Sequence, residues 1–189
     1  NHDSAERIAF GARIMQSGNI FMSPVYDGNI EKHTLSDEWG NVNVFMLPFI
    51  KPVNVRQAFP DDEINSYTDA VSCALGHISL DESERNVILS HQFVTGAIKS
   101  DSEEISLGGT DNVDVCAYDK FDYVALGHIH SPQKLVRDTV RYCGTPLKYS
   151  FSECRHNKSV TVVEMKEKGD VEILLVPLIP CLLYTSPSP

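Results

Sequence analysis

Short apolar runs separated by polar and turn-forming residues dominate the sequence, and they predict a fold rich in strands. The segments 86–91 and 121–126 are rich in β-branched and aromatic residues, which is typical of buried strands. The segments 159–165 and 171–176 flank a polar turn, and together they predict a hairpin. The full set of predicted strands is 20–22, 29–35, 42–47, 86–91, 121–126, 140–146, 159–165 and 171–176.

Two segments instead show apolar residues at helical spacing. Residues 4–16 predict an amphipathic helix capped by Asp3 or Ser4. Residues 64–75 predict a second helix that ends at Gly76, after an acidic start that suits the positive end of the helix dipole. Mixed helices and strands of this kind predict α and β layers packed around a central sheet.

Two further stretches predict irregular chain. Residues 29–35 and 42–47 flank a polar loop at 36–41, and together they predict a first hairpin. Pro48, Pro52 and Pro60 follow it, before the second helix. The acidic and polar segment 99–104 predicts a solvated loop.

Composition and charge narrow the classes of function that the chain can have. Hydrophobic residues make up 42% of the 189 residues, which is enough for a real core. The formal charge is −10, from 26 acidic and 16 basic residues. This balance argues against a protein that grips nucleic acid through bulk electrostatics. It does not argue against an enzyme that meets phosphates through divalent metal ions, because the ions bring their own charge.

The cysteines and the apolar segments point to a cytoplasmic protein. No C-x-x-C pair occurs, which excludes a zinc ribbon and a thioredoxin-type motif. We expect the thiols to be reduced and mostly buried. No stretch approaches the ~20 apolar residues of a membrane span, so we expect no contact with a membrane. The five cysteines are Cys73, Cys116, Cys143, Cys154 and Cys181.

Candidate chemistry is concentrated where predicted strands end. The strand 121–126 runs directly into Gly127-His128-Ile129-His130. In open α/β sheets the carboxyl edge of the strands is where ligands bind. Two imidazoles at such an edge therefore suggest a metal site.

Two other places carry similar side chains. His91 ends the strand 86–91, and Asn1-His2-Asp3 comes directly before the first predicted helix. A lone histidine after a strand is more often a hydrogen-bonded loop residue than a ligand. Three histidine-bearing ends in one chain favour a metal site over three separate coincidences.

The remaining histidines have less informative positions. His33 lies in the first hairpin, His77 follows the second helix and His156 precedes a strand. We expect each of these to be a surface or structural residue. Trp39 is expected to pack locally at the tip of the first hairpin, although a DNA contact there is an alternative.

Asn1-His2-Asp3, Ser90-His91 and Gly127-His128-Ile129-His130, in this order, resemble the NHD, central H and GHxH motifs of the calcineurin-like metallophosphoesterases. Within that superfamily, further stretches resemble the SbcD family of nuclease subunits. They are S-L-G-G-T-D at 106–111, V-R-Y-C-G-T-P at 140–146 and Y-S-F-S-E-C at 149–154.

The resemblance implies a fold and a domain organisation. Residues 1–177 would form the C-terminal part of a layered α/β/β/α-type metallophosphoesterase domain, with mixed sheets and flanking helices. Residues 178–189 match no predicted element, and their Ser-Pro ending predicts an unstructured tail, either a linker or a non-native cloning product.

The resemblance also implies a two-metal centre, with Mn²⁺ as the expected ion, because such centres clamp the attacking and leaving oxygens of a phosphodiester. His2 would lie by the scissile phosphate and help to protonate the leaving group, and Asp3 would orient His2. The implied metal ligands are Asn1, His91 and His128 for one ion and His130 for the other.

The implied activity is that of a DNA exonuclease and endonuclease acting in repair, recombination and replication. The implied partners are DNA and an SbcC-type ATPase, in a heteromeric complex with a homodimeric nuclease core. The family also has earlier D-x-H and G-D motifs, which are not found in these 189 residues. We therefore expect this polypeptide alone to be inactive or nearly so.

Two other functions fit parts of the same pattern. One is a phosphatase or small phosphodiesterase of the same superfamily that acts on proteins or nucleotides. The other is a non-catalytic scaffold that serves mainly to bind an ATPase partner. Retention of His2 together with all four implied metal ligands argues against the scaffold, because a degenerate subunit has no need of them.

Overall fold

The computed structural model describes residues 4–23, 25–100 and 111–179, and within these ranges helices and strands alternate. The helices are α1 (Ala5–Ala9), α2 (Ala12–Gln16), α3 (Pro52–Ala58) and α4 (Tyr67–Gly76), with 3₁₀ turns at Val115–Tyr118 and Phe151–Arg155. The strands are β1 (Glu31–Asp37), β2 (Gly40–Leu47), β3 (Arg85–Ser90), β4 (Phe93–Val94), β5 (Asn112–Val113), β6 (Tyr123–Leu126), β7 (Gln133–Lys134), β8 (Val140–Tyr142), β9 (Ser159–Met165) and β10 (Val171–Pro177).

A six-stranded mixed sheet forms the centre of the described structure, in the order β1-β2-β3-β6-β8-β7. The four inner strands run parallel, whereas β1 and β7 are antiparallel edges. The inner strands carry core residues such as Ile88, Val124 and Val140, each fully buried. The mixed α/β fold expected from the sequence is confirmed, and it is consistent with part of a metallophosphoesterase domain.

Helices α3 and α4 contribute the other side of the core. Helix α4 buries Ala70, Val71 and Ala74. It begins with a capping box in which Ser66 and the third helical residue, Asp69, each accept a hydrogen bond from the other's backbone N–H. The sequence places the start of this helix at residue 64, and the difference arises because the cap is Ser66 rather than the acidic run before it.

Arg85, at the start of β3, joins the sheet to the hairpin of β9 and β10. Its guanidinium is almost fully buried and forms a bidentate ion pair with Asp37. It also donates to the carbonyl oxygens of Gly40 at 2.7 Å and of Met165 at 2.9 Å. The hydrogen bonds from Arg85 hold the pKa of the Asp37 carboxyl below its usual value.

Two predictions near the start of the chain are wrong. The single helix expected at 4–16 is two short helices, because the chain breaks at Phe10 and Gly11, and Gly11 becomes the N-cap of α2. No strand forms at 20–22.

The irregular chain predicted around Pro48, Pro52 and Pro60 is also wrong in part. Pro52 is the first residue of α3, where its missing N–H costs no hydrogen bond and its fixed φ suits a helix. The region expected to be irregular therefore contains a helix.

Both predicted hairpins are confirmed. In the first, pairing extends to Asp37 and Gly40, so the turn is Glu38-Trp39 rather than a longer loop, and Trp39 lies at its tip. The second pairs β9 with β10 over seven residues each. Of the predicted loop at 99–104, only Lys99 and Ser100 lie within the described residues, and there Lys99 stands 3.7 Å above the ring of Phe93.

The cysteines are more exposed than the sequence led us to expect. The four cysteines in the described ranges are free thiols, as predicted. The prediction that they are mostly buried is wrong, because Cys116, Cys143 and Cys154 are exposed and Cys73 is half-buried. Cys181 lies outside the described residues. In the part of the chain that the structure describes, no helix combines the length and the apolar character needed to cross a bilayer.

Candidate metal centre

The ends of β3 and β6 meet at the carboxyl edge of the sheet. The two strands are parallel neighbours, with Ser90 paired to Leu126. The pairing continues one residue further, because the backbone N–H of Gly127 donates to the carbonyl oxygen of Ser90 at 2.8 Å. His91 and the Gly127-His128-Ile129-His130 segment therefore leave the sheet side by side, as the sequence predicted.

The imidazoles of His91 and His128 pack edge to face. Their ring centroids are 5.4 Å apart with an interplanar angle of 69°. Phe49, which follows β2, lies 6.4 Å from each of the two rings. Three adjacent strand ends thus supply two imidazoles and an aromatic wall that backs them.

The position of Gly127 requires a glycine, because the ends of β3 and β6 approach each other closely there. A Cβ atom at this position would lie 2.7 Å from Nδ1 of His91. Any larger residue would push the imidazole away. The glycine of the motif therefore makes room for the other histidine.

The backbone of His128 is strained. Its φ is 96°, in the left-handed region that residues with a side chain rarely adopt. Such strain costs on the order of 1–3 kcal/mol and persists where surrounding structure imposes it, commonly at functional sites. The neighbouring Ile129 is almost fully buried and anchors the segment.

His130 is oriented by a buried carboxylate. Its Nδ1 lies 2.9 Å from Oε1 of Glu153, in the 3₁₀ turn Phe151–Arg155. Because an ionised carboxylate only accepts hydrogen bonds, Nδ1 donates and Nε2 is the nitrogen with a lone pair for a ligand. A histidine that binds a metal is commonly held by a carboxylate in this way.

Lys158 completes the support of this histidine. Its ammonium and the Glu153 carboxylate form an ion pair at 2.8 Å in which both side chains are fully buried. The other two ammonium donors reach the carbonyl oxygen of His130 at 2.8 Å and Oγ1 of Thr145 at 2.9 Å. All three donors of the lysine are satisfied, which a buried charge requires.

The segment that follows β8 packs directly against the site. The Tyr142 hydroxyl accepts from the backbone N–H of Val94 at 2.8 Å and donates to the carbonyl of Gln92 at 2.7 Å, which fixes the chain just after His91. Gly144 adopts a φ of 74°, and a Cβ there would lie 2.7 Å from the carbonyl oxygen of His130. The Y-C-G-T-P stretch therefore holds both histidine-bearing loops.

Two cavities meet at this edge. One, of about 230 Å³, is lined by His91, His128 and His130 together with neighbouring glycine and threonine residues. The other, of about 580 Å³, is mostly apolar and touches His91 and Gly127.

The structure brings together three of the five predicted site residues, namely His91, His128 and His130. Asn1 and His2 lie outside the described residues. Of the histidines expected to be structural, His33 is 2.9 Å from Glu31 on the same strand, and His77 caps α4.

Sequence reasoning missed the roles of Glu153, Lys158 and Tyr142. Glu153 and Tyr142 lie in the stretches that resemble the SbcD family. The resemblance indicated that these stretches matter, but it did not indicate what either residue does. Nothing in the sequence indicated a role for Lys158, because lysine is common just before a strand.

Comparison with known proteins gives relatives of one kind. No family model matches the chain. It is 31% identical over 183 residues to the SbcD subunit of the SbcCD nuclease of Staphylococcus epidermidis, a match that covers 95% of the chain and 48% of the relative. It is 30% identical over 171 residues to the same protein from Staphylococcus saprophyticus, covering 89% of the chain and 44% of the relative.

The chain thus spans about half the length of the curated relatives that it matches. The matched region includes the site described above and nearly everything around it. The chain is therefore an SbcD-like polypeptide, homologous over almost all of its length to part of the SbcD subunit of the SbcCD nuclease.

Proposed function

We propose that this chain forms part of the catalytic centre of a metal-dependent DNA nuclease that hydrolyses phosphodiester bonds with two divalent ions. The observation that carries the proposal is the meeting of His91 and His128 at 5.4 Å, beside a third histidine held by the buried Glu153. The relatives are named as nuclease subunits, which supports DNA as the substrate.

The side chains present fit divalent metal ions. Imidazole nitrogens are common ligands of first-row divalent ions, and the amide oxygen of Asn1 suits Mn²⁺. The Glu153 hydrogen bond leaves Nε2 of His130 as the ligand atom. We propose Asn1, His91 and His128 as ligands of one ion and His130 as a ligand of the other, with Mn²⁺ as the ion. For Asn1 and His2, support comes from the resemblance of the motif alone.

When bound, such ions generate a hydroxide near neutral pH and offset the charge of the phosphate. The chain's own residues set the geometry. Glu153 holds the His130 ring in one tautomer, and Lys158 fixes the backbone carbonyl of the same residue. His2 would act beside the phosphate, where it stabilises negative charge and protonates the leaving oxygen.

The charge of the chain favours a partner in DNA binding. With a formal charge of −10, it gives little sequence-independent attraction to phosphates. The relatives are named as one subunit of a nuclease, SbcCD. We therefore infer an SbcC-type ATPase partner, a heteromeric complex with a homodimeric nuclease core, and a role in DNA repair, recombination and replication. A cytoplasmic location belongs to the same proposal.

The domain organisation proposed from the resemblance is unchanged. Residues 1–177 would be the C-terminal part of the phosphoesterase domain, and residues 178–189 an unstructured tail that is either a linker or a non-native cloning product. Of that tail, residues 180–189 lie outside the described residues. The end of β10 at Pro177 supports that boundary.

A metal-binding experiment tests the ligands directly. Mn²⁺ is added to the chain, labelled with ¹⁵N in its histidines, and paramagnetic broadening of the imidazole signals is measured. We expect His91, His128 and His130 to broaden first, and His33, on β1, to broaden last. Equal broadening of all histidines, or no change in broadening after His128→Ala, would count against the centre.

An activity experiment separates the alternatives. The full-length protein that carries this chain is assayed with its ATPase partner on linear duplex DNA in Mn²⁺, and on a phosphopeptide and a cyclic nucleotide. A nuclease cleaves the DNA and loses this activity with His128→Ala, while the matched variant His33→Ala keeps it. Preference for either small substrate would favour the phosphatase alternative, and no metal-dependent hydrolysis at all would favour the scaffold.

A further inference from the structure

A second group of metal-type side chains lies away from the strand ends, near the end of α4. Cys73 and His77 are one helical turn apart, and Asp62 reaches them from the loop that follows α3. One ligand atom from each side chain can be chosen so that all three lie within 4.8 Å of one another. Sulfur, nitrogen and oxygen ligands thus converge from two segments of the chain.

The separations suit a tetrahedral ion. Sγ of Cys73 is 3.1 Å from Oδ2 of Asp62, and Nε2 of His77 is 3.9 Å from the same oxygen. Zinc bonds of about 2.0–2.3 Å place tetrahedral ligand atoms roughly 3.3–3.8 Å apart. These two distances, which both involve Oδ2 of Asp62, bracket that range.

The imidazole of His77 is already oriented for coordination. Its Nδ1 is 2.9 Å from the backbone carbonyl oxygen of Cys73, which can only accept, so Nδ1 donates and Nε2 keeps its lone pair. Phe59 stacks on the ring with centroids 3.8 Å apart and an interplanar angle of 15°. A backbone carbonyl that fixes the other ring nitrogen is the usual support of a metal-binding histidine.

The Cys73 thiol and the Asp62 carboxylate are already in contact, because Sγ donates a hydrogen bond to Oδ2. A divalent ion would replace the proton of the thiol, which leaves to solvent, and both side chains would then act as ligands.

The geometry points to a Zn²⁺ site formed by Asp62, Cys73 and His77, with water in the fourth position. The thiolate favours zinc over Mn²⁺, because hard ions prefer oxygen ligands. The side chains of Asp62 and His77 are about half exposed, which leaves a path for the ion to enter. Bound zinc would clip the loop after α3 to the end of α4.

Cobalt(II) tests the site through its thiolate ligand. Co²⁺ is titrated into the reduced full chain without oxygen, and the sulfur-to-metal charge-transfer band in the near ultraviolet is recorded. The proposed nuclease centre has no sulfur ligand, so a band that depends on Cys73 reports this site and not that centre. We expect the band in the unmodified chain, its loss in Cys73→Ser and its weakening in His77→Gln.

Two control variants make the result specific. Cys116→Ser removes an exposed thiol that also lies beside a carboxylate, Asp114, and it should keep the band. His128→Ala should keep it as well. Zn²⁺ competition should displace Co²⁺ and raise the melting temperature, with affinity at least about tenfold weaker in Cys73→Ser.

Absence of the band, its survival in Cys73→Ser or its loss in Cys116→Ser would each overturn the site. Circular dichroism of each variant confirms that the fold is retained. Because the site shares no residue with the strand-end histidines, either proposal can fail without the other.

Discussion

Glu153 accepts a hydrogen bond from Nδ1 of His130 at 2.9 Å, although the two residues are 23 positions apart and belong to different elements. The carboxylate is fully buried and its second oxygen pairs with Lys158. The orientation of one candidate ligand thus depends on an ion pair that has no direct contact with solvent.

Removing one partner of this ion pair should be costly. We expect Glu153→Gln to lower the free energy of unfolding by about 3–5 kcal/mol, because it leaves the Lys158 ammonium buried without its counter-charge. Urea denaturation measures the change, and Glu172→Gln on the exposed face of β10 is the control. The double variant Glu153→Gln/Lys158→Met should be less destabilised than Glu153→Gln alone. A double variant that is worse than the single one would contradict this account.

Gly127→Ala should displace His91, because the new Cβ would lie 2.7 Å from its Nδ1. We expect a loss of about 1–3 kcal/mol in the free energy of unfolding, as for other overpacked sites. A shift of the His91 imidazole signals in NMR spectra should accompany it. Gly76→Ala, at a position with open space, is the control and should be neutral or slightly stabilising. Unchanged His91 signals in Gly127→Ala would show that a Cβ at this position fits beside the imidazole, which would contradict the prediction.

The strained φ of His128 predicts an unusual response to glycine. His128→Gly relieves strain of about 1–3 kcal/mol, and it loses about 0.5–1 kcal/mol to backbone entropy. We expect the free energy of unfolding to stay the same or rise by up to ~2.5 kcal/mol, while binding of Mn²⁺ is lost. His91→Gly has no such strain to relieve and should be destabilising. Equal losses in both variants, measured by thermal denaturation, would rule out strain at His128.

Tyr142→Phe should weaken the loop after His91. The variant leaves the backbone N–H of Val94 buried without its acceptor, at a cost of about 1–3 kcal/mol. Amide hydrogen exchange at Val94 should become faster than in the unmodified chain. Tyr149→Phe removes an exposed hydroxyl and should change neither quantity.

The Arg85–Asp37 ion pair predicts a dependence of stability on pH. The pKa of Asp37 is lower in the folded chain than its unfolded value of ~3.9, so the unfolded chain binds more protons in this range. The stabilisation is therefore complete above pH ~3.9 and is lost as the pH falls through the folded pKa.

We expect Asp37→Asn to lower stability at neutral pH and to flatten its decline in acid. Denaturant midpoints between neutral pH and pH ~3 measure both effects. Glu38→Gln, at the exposed tip of the same hairpin, is the control and should retain the acid-dependent decline. An equally steep decline in Asp37→Asn would assign it to other carboxyls.

Local patterns were enough to predict the strands that carry the site. The apolar runs before His91 and Gly127 are continuous because β3 and β6 are buried in the sheet, so both strands and the edge they share could be foreseen. The helix at Pro52 could not, because the same residue that breaks a helix interior is favourable at its first position.

The support of the site was beyond local reasoning for a different reason. Glu153 and Lys158 contact His130 only in the folded chain. Hydrophobic periodicity carries no information about contacts between residues so far apart in the sequence. The strained φ of His128 is likewise imposed by its neighbours. Sequence patterns therefore identified candidate ligands, while the residues that orient them required the three-dimensional arrangement.

The Lys158 ammonium binds the carbonyl oxygen of a residue that precedes it by 28 positions. On the ribosome, the loop that contains His128 and His130 is therefore synthesised before the lysine that secures it. A nascent chain that has not yet reached Lys158 would expose this loop without its anchor. The arrangement of the candidate ligands is thus completed only after residue 158 has been synthesised, by residues that are themselves not expected to touch a metal ion.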